Sequence, residues 1–258
     1  MSDIDDVKNL FSLPSVDPTV GALMVNSLDG SNLAGCLGTS LDDIETDDVT
    51  VVKILLDASI SMKKHEQVVR DSYDKMIQSF KNSKQGGSIL VSTVVFSTRT
   101  KILHGFKKAD EITPIGNDYR ATGGSTAVYD ALMESITGAK AYATDLNQNG
   151  VRTKTIVVVF SDGEDNDSQK SSSDEVKITT ESLLKKEMFY PVYVGYADPN
   201  DPNADTILKA VAEKVGFPNV LTAAATESEI RRTVDLVSKS VIRTSQTTIG
   251  GTTNSFFS

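Results

Sequence analysis

Three oxygen-bearing side chains alternate along one short stretch of this chain: Asp57, Ser59 and Ser61. The stretch follows an apolar, β-branched run at 50–56 and opens an amphipathic run, which predicts a turn from a strand into a helix. Carboxylate and hydroxyl oxygens are hard donors that suit Mg²⁺, Ca²⁺ or Mn²⁺. Because Asp and Ser are also common helix N-caps, these three residues alone leave a simple capping role open.

Two later loops carry further donors of the same type. Thr126 follows a Gly-Gly-Ser sequence, and Asp162 follows a Val-rich run. In an open α/β sheet, loops at the carboxyl ends of the strands meet at one edge, so all three segments are expected to lie together. Two carboxylates and three hydroxyls, completed by water, suit an octahedral Mg²⁺. Thr122 and Ser125 remain alternative hydroxyl donors in the first of these loops.

The pattern of apolar residues predicts the elements that must position these loops. Short apolar runs predict strands, and apolar residues at three- and four-residue spacing predict helices. The predicted strands are 50–56, 88–96, 100–106, 153–160, 189–196 and 219–223. The predicted helices are 61–80, 127–143, 172–186, 205–215 and 226–241. This alternation, with one hairpin, predicts an α/β fold with a doubly wound, mainly parallel sheet, one antiparallel edge strand and helices on both faces.

The motifs and their order resemble those of the von Willebrand factor A (vWA) domain, a Rossmann-like fold, and of its metal-ion-dependent adhesion site. The family pattern is Asp-x-Ser-x-Ser, then a Thr after a Gly-Gly loop, then an Asp after the central strand. All three segments are present here in that order, and the resemblance covers residues 49–243. Ile60 is a departure, since many members have Gly at that position.

The resemblance implies which residues surround a bound cation. Three hydroxyls are expected to contact the ion directly or nearly so: Ser59, Ser61 and Thr126. The two carboxylates, Asp57 and Asp162, are expected to act through metal-bound water. One metal position stays open in this family, and an Asp or Glu of a partner protein can occupy it.

The charge of the chain is unevenly distributed. The net charge is −9, with ten acidic residues and one basic residue in 1–48 and 25 of each in 49–258. Nucleic-acid binding needs clustered excess Lys and Arg, so this distribution argues against it. No apolar run reaches the roughly 18 residues of a membrane helix, and the acidic N-terminus lacks the pattern of a secretory signal. Together with a single cysteine, Cys36, these features predict a cytoplasmic protein without an intrachain disulfide.

Residues 1–48 are predicted to form an acidic N-terminal extension outside the vWA domain. Their composition favours a partly flexible segment. Two short apolar patches, 20–25 and 33–37, favour docking on a partner or on a neighbouring subunit instead. Docking on a neighbour would make the chain a self-assembling structural protein and a homo-oligomer. Residues 244–258 are predicted to form a polar C-terminal tail.

The remaining polar groups give little support to catalysis. His65 and His104 are the only histidines, and neither has an evident nucleophile beside it. Glu164, Asp165 and Asp167 are predicted to form a solvated acidic loop rather than extra ligands. We therefore expect a metal-dependent protein-binding role and no enzymatic activity. By resemblance to stand-alone bacterial vWA proteins, the expected partner is a MoxR-type AAA ATPase within a stress-response module.

Overall fold

A six-stranded sheet forms the centre of the computed structural model, which describes residues 4–13, 16–28, 33–185, 188–247 and 256–257. Its strands are β1 Asp48–Asp57, β2 Ile89–Phe96, β3 Thr100–Lys108, β4 Arg152–Ser161, β5 Phe189–Ala197 and β6 Asn219–Ala224. Their order across the sheet is β3-β2-β1-β4-β5-β6, and β2 and β3 are the antiparallel pair. The predicted mainly parallel sheet with one antiparallel edge strand is therefore confirmed.

Helices cover both faces of the sheet, as predicted. They are α1 Ile4–Phe11, α2 Pro18–Ser27, α3 Glu66–Lys81, α4 Val128–Gln148, α5 Ser173–Leu184, α6 Ala204–Lys214 and α7 Glu227–Gln246. The core formed with α3 and α7 receives Val52 and Ile54 of β1, and the core formed with α4, α5 and α6 receives Val51 and Leu55. This alternation follows from the two-residue period of a strand. None of the helices in the described ranges is both long and apolar enough to cross a membrane.

Three helices differ by about five residues from the ends predicted from sequence. Residues Ile60–His65 form a 3₁₀ segment, and α3 begins only at Glu66. Helix α4 continues past the predicted end at 143 to Gln148, and α7 continues past the predicted end at 241 to Gln246, into the predicted tail. All three differences lie at helix ends, where periodicity carries the weakest signal. Residue 186, the predicted end of the third helix, and residues 248–255 and 258 of the predicted tail lie outside the described residues.

The parallel strands bring the predicted site loops to one edge of the sheet. Asp57 closes β1, and β4 beside it ends at Ser161, so Asp162 opens a loop next to the end of β1. The loop before α4 crosses the same edge, where Ala127 N donates to Ser97 O at 2.8 Å. All three predicted segments therefore lie at the carboxyl edge of the sheet.

The N-terminal arm, defined as the described part of residues 1–47, packs on the helix side formed by α4. Helices α1 and α2 both contact α4, and α2 also contacts α5. Val7, Phe11 and Met24 are at most 3% exposed and belong to the same apolar core as α4. Ser27 Oγ lies 3.0 Å from Thr137 Oγ1 of α4, in a buried hydrogen bond. The arm is thus continuous with the core of the domain.

The end of the arm encloses a buried lysine. Lys53 in β1 is 1% exposed, and its Nζ donates to Gly35 O at 3.1 Å and to Ser92 Oγ at 2.9 Å. Burial lowers the pKa of Lys53 to about 8. Gly138 lies inside α4, where glycine is normally unfavourable, but a Cβ there would stand 2.5 Å from Gly35 O. The close approach of arm and helix therefore requires glycine at this position.

The arm also forms backbone hydrogen bonds with the edge strand β3. Phe106 N in β3 donates to Leu37 O at 2.8 Å, and Thr39 N donates to Phe106 O at 2.7 Å. The sequence suggested that the apolar patches 20–25 and 33–37 dock on a partner or on a neighbouring subunit. In the structure they pack into the apolar core of the same chain. Docking elsewhere would require the arm to leave these contacts.

Candidate metal site

Asp57 shapes the first turn of the site. It is 1% exposed, and its Oδ1 accepts from Ser59 N at 2.8 Å while its Oδ2 accepts from Ser161 Oγ at 2.5 Å. Burial raises the pKa of Asp57 to about 6, and these hydrogen bonds offset only part of that effect. Ser59 stands at the N-cap of the 3₁₀ segment, but its hydroxyl makes no capping hydrogen bond. The simple capping alternative therefore does not account for the serine hydroxyl.

A chain of polar side chains links this turn to the loop after β4. Ser59 Oγ lies 3.0 Å from Ser61 Oγ, and Ser61 Oγ donates to Asp162 Oδ1 at 2.8 Å. Burial also raises the pKa of Asp162, because the charged carboxylate loses contact with water. A continuous series of hydrogen bonds thus connects four of the five predicted donor residues: Asp57, Ser59, Ser61 and Asp162.

The Gly-Gly loop is attached to the same turn. Gly123 N donates to Ala58 O at 3.0 Å, and Tyr119 OH donates to Asp57 O at 2.7 Å. A Cβ on Gly123 would stand 2.1 Å from Ser97 Cβ, so the loop can lie this close to Ser97, after β2, only with glycine at 123.

Thr126 is held against the loop that contains Asp162. Thr126 N donates to Asn166 Oδ1 at 2.7 Å, and Asn166 N donates to Thr126 O at 2.9 Å. Thr126 is 5% exposed, whereas Thr122 is exposed and Ser125 is partly exposed. Of the three candidate residues in this loop, Thr126 is therefore the one whose backbone is fixed beside the Asp162 loop.

The acidic loop caps helix α4, a role that the sequence did not suggest. Ala127, at the N-cap position, offers no side-chain acceptor. Asp165 Oδ1 accepts instead from Tyr129 N at 3.2 Å, and Ser168 Oγ accepts from Asp130 N at 3.1 Å. Capping patterns are recognised among adjacent residues, so a cap supplied by a distant loop leaves no such signal. Asp165 is accordingly a structural acceptor rather than only a solvated acid.

Asp130 holds the far end of that loop in return. Its carboxylate accepts from three consecutive backbone amides, those of Gln169 at 2.9 Å, Lys170 at 3.0 Å and Ser171 at 2.7 Å. Hydrogen bonds to a charged acceptor are stronger than those to a neutral one. The loop is therefore hydrogen-bonded to the first turn of α4 at two places along its length. These hydrogen bonds hold Thr126 in a fixed position relative to Asp162.

Replacing Asp130 by Ala is expected to lower the free energy of unfolding by about 1–3 kcal/mol, since three amides lose a charged acceptor. It is also expected to weaken divalent-cation binding by about 10–100-fold, the usual cost of losing a group that orients metal ligands. Urea unfolding and Mn²⁺ titration measure the two effects. Asp167→Ala is the control. Asp167 accepts from Gln169 Nε2 through its backbone carbonyl, which the substitution leaves in place. Equal Mn²⁺ affinity in the two variants would contradict the positioning role.

The chemistry of the donor set fits a hard divalent cation. Among the described residues neither Asp57 nor Asp162 forms a salt bridge, although burial penalises the charge of both; Lys64 and His65 offset only part of that penalty at Asp162, and Lys64 pairs with Asp198 instead. A cation is the group that such carboxylates lack. No three His, Cys, Asp or Glu side chains in the described ranges form a metal-binding group, so the candidate site relies on hydroxyls as well as carboxylates.

Comparison with known proteins adds independent information about the fold. The sequence profile of the von Willebrand factor type A domain matches residues 52–234. No curated protein sequence matches the chain. Among solved structures, the minor pilin PilB from Streptococcus sanguinis has a TM-score of 0.54 at 14% identity, covering 78% of this chain and 63% of that chain. Proximal thread matrix protein 1 from the mussel byssus has a TM-score of 0.52 at 20% identity, covering 76% and 46%. The pilus adhesin SpaC from Lactobacillus rhamnosus GG has a TM-score of 0.53 at 14% identity, covering 78% and 30%.

These structures are evidence for the fold alone, because their identities to this chain are low. The chain covers less than two thirds of each of them. The profile match is the stronger finding, since it spans more than half of the chain and includes all five candidate donors. The chain therefore belongs to the von Willebrand factor type A domain family.

Proposed function

We propose that this domain is a metal-dependent protein-interaction module, in which a divalent cation held at the candidate site recruits an Asp or Glu of a partner protein. The observation that carries the proposal is a pair of carboxylates without a salt-bridge partner, buried Asp57 and half-buried Asp162, which are hydrogen-bonded to serines at one sheet edge. Membership of the von Willebrand factor type A family supports a protein-interaction role more generally.

Mg²⁺ is the proposed ion, with Ca²⁺ or Mn²⁺ as alternatives. The proposed near ligands are the three hydroxyls of Ser59, Ser61 and Thr126, and Asp57 and Asp162 are proposed to act through metal-bound water. When bound, the ion supplies positive charge that neutral hydroxyls leave largely uncompensated, and this charge attracts a carboxylate from outside. The loops contribute by holding the donors together before any partner arrives, which lowers the entropic cost of binding.

The proposal assigns a binding role and no catalysis. His65 lies in the 3₁₀ segment and His104 in edge strand β3, where its Nδ1 lies 2.8 Å from Gly105 O. A MoxR-type AAA ATPase in a cytoplasmic stress-response module is the proposed partner, supported by the resemblance to stand-alone bacterial proteins. Co-elution of the chain with such an ATPase in Mg²⁺, and its loss in EDTA, would support this assignment.

Retention of partner proteins on the immobilised full-length chain tests the binding role. Proteins from the source cells should bind in Mg²⁺ and leave in EDTA, and Asp162→Ala should fail to retain them, because that variant loses one carboxylate of the site. Glu164→Ala is the matched control, since Glu164 is an exposed acid in the same loop. Identical retention in Mg²⁺ and in EDTA would contradict the proposal.

A further inference from the structure

An exposed isoleucine lies within the candidate metal turn. Ile60 is 58% exposed, between Ser59 and Ser61. Among the residues that the structure describes, it and Ile178, which is 48% exposed, are the exposed large apolar side chains. A single exposed apolar residue is ordinary on a protein surface. The location of Ile60 is unusual, because both of its neighbours in the sequence are candidate metal donors.

Lys63 is the residue that lies beside Ile60 on the surface of the segment. Residues three apart in a 3₁₀-helix lie one above the other, so Lys63 stands on the same side of the segment Ile60–His65. Lys63 Nζ lies 3.0 Å from Glu66 Oε2, an ion pair that partly offsets its charge. The aliphatic stem of a lysine covers apolar surface well. A partner that reaches the site therefore meets the exposed Ile60 side chain, with Lys63 on the same side of the segment, directly next to the hydroxyl donors.

We infer that Ile60 determines specificity in partner binding, and that the partner segment carries an aliphatic or aromatic side chain next to the Asp or Glu that enters the site. This inference rests on the proposed function and adds a requirement that the metal site alone does not impose. Covering the exposed part of an isoleucine with an apolar group is worth about tenfold in affinity.

Selection from short random peptides displayed on phage tests the inference. Wild-type chain in Mg²⁺ should enrich peptides with an acidic residue flanked by an apolar one, and EDTA should abolish the enrichment. Ile60→Ala should still select the acidic residue but lose the preference for its apolar neighbour. For a synthetic peptide of the enriched type, the affinity should fall about tenfold in this variant. Ile178→Ala, which shortens the other exposed isoleucine on α5, is the control and should select as the wild type does.

The outcomes separate this inference from the proposed function. Mg²⁺-dependent enrichment of acidic residues with no preference at neighbouring positions, or a preference that survives in Ile60→Ala, would overturn the inference and leave the metal-dependent module standing. Absence of any Mg²⁺-dependent enrichment of Asp or Glu would contradict both.

Discussion

A chain lacking residues 1–47 is expected to lose most of its stability and to aggregate, although the deletion removes no strand of the sheet. The arm covers apolar side chains of α4 and supplies the Gly35 carbonyl to the buried Lys53 ammonium. Deletion exposes that apolar surface to water and removes one acceptor from a buried charge. Thermal unfolding by circular dichroism, together with light scattering, measures both consequences.

A point substitution gives the same test without removing the arm. Phe11→Ala is expected to lower the free energy of unfolding by about 3–5 kcal/mol, because Phe11 is 3% exposed in the core shared with α4. The neighbouring Ser12 is exposed, so Ser12→Ala should change it by less than about 0.5 kcal/mol. If the truncated chain and Phe11→Ala both unfold at the wild-type urea concentration, the arm is an appendage and the packing account is wrong.

Asp57→Asn is expected to remove a large pH dependence of stability that the wild type shows in EDTA. Burial raises the pKa of Asp57 from its ordinary 3.8 to about 6. Between these values the folded chain holds a proton that the unfolded chain has released, so this group's contribution to stability falls as pH rises and stays low above pH 6. The difference corresponds to about 3 kcal/mol. Urea unfolding of both proteins from pH 4 to pH 7 should therefore show the variant gaining by about that amount relative to the wild type.

Excess Mg²⁺ should cancel most of this difference in stability at neutral pH. A ligand at 100 times its dissociation constant stabilises the folded state by about 2.7 kcal/mol. The wild type is expected to gain stability of this order, whereas Asp57→Asn, which lacks one carboxylate of the site, should gain little. Parallel pH curves for the two proteins in EDTA, or equal stabilisation by Mg²⁺, would show that Asp57 is not the uncompensated group described above.

The position of the three loops at one edge of the sheet could be predicted, because each loop directly follows or precedes an element with a clear sequence pattern. Asp57 and Asp162 directly follow β-branched runs, and parallel strands deliver their carboxyl ends to one edge. Thr126 required the Gly-Gly sequence as well as the alternation of strands and helices. The residues at the ends of the predicted strands and helices were sufficient for this prediction, and it required no knowledge of long-range contacts.

Asp130 and the N-terminal arm could not be predicted in the same way. The carboxylate of Asp130 accepts hydrogen bonds from backbone amides about forty positions later in the chain. No rule based on residue spacing applies over such a separation in sequence. The arm resembles a flexible tail by composition, because seven of its described residues are acidic and the apolar residues that pack into the core are few. Lys53 within a buried strand and Gly138 within a helix were the available signals, since each contradicts the local preference of its element.

Anomalous diffraction from crystals grown with Mn²⁺ tests the central claim most directly, because it locates the ion without reference to any partner. We expect one strong peak at the carboxyl edge of the sheet, bounded by the hydroxyls of Ser59, Ser61 and Thr126. Absence of a peak there at saturating Mn²⁺, with Ser61 still donating to Asp162, would contradict the assignment of these residues as a metal site.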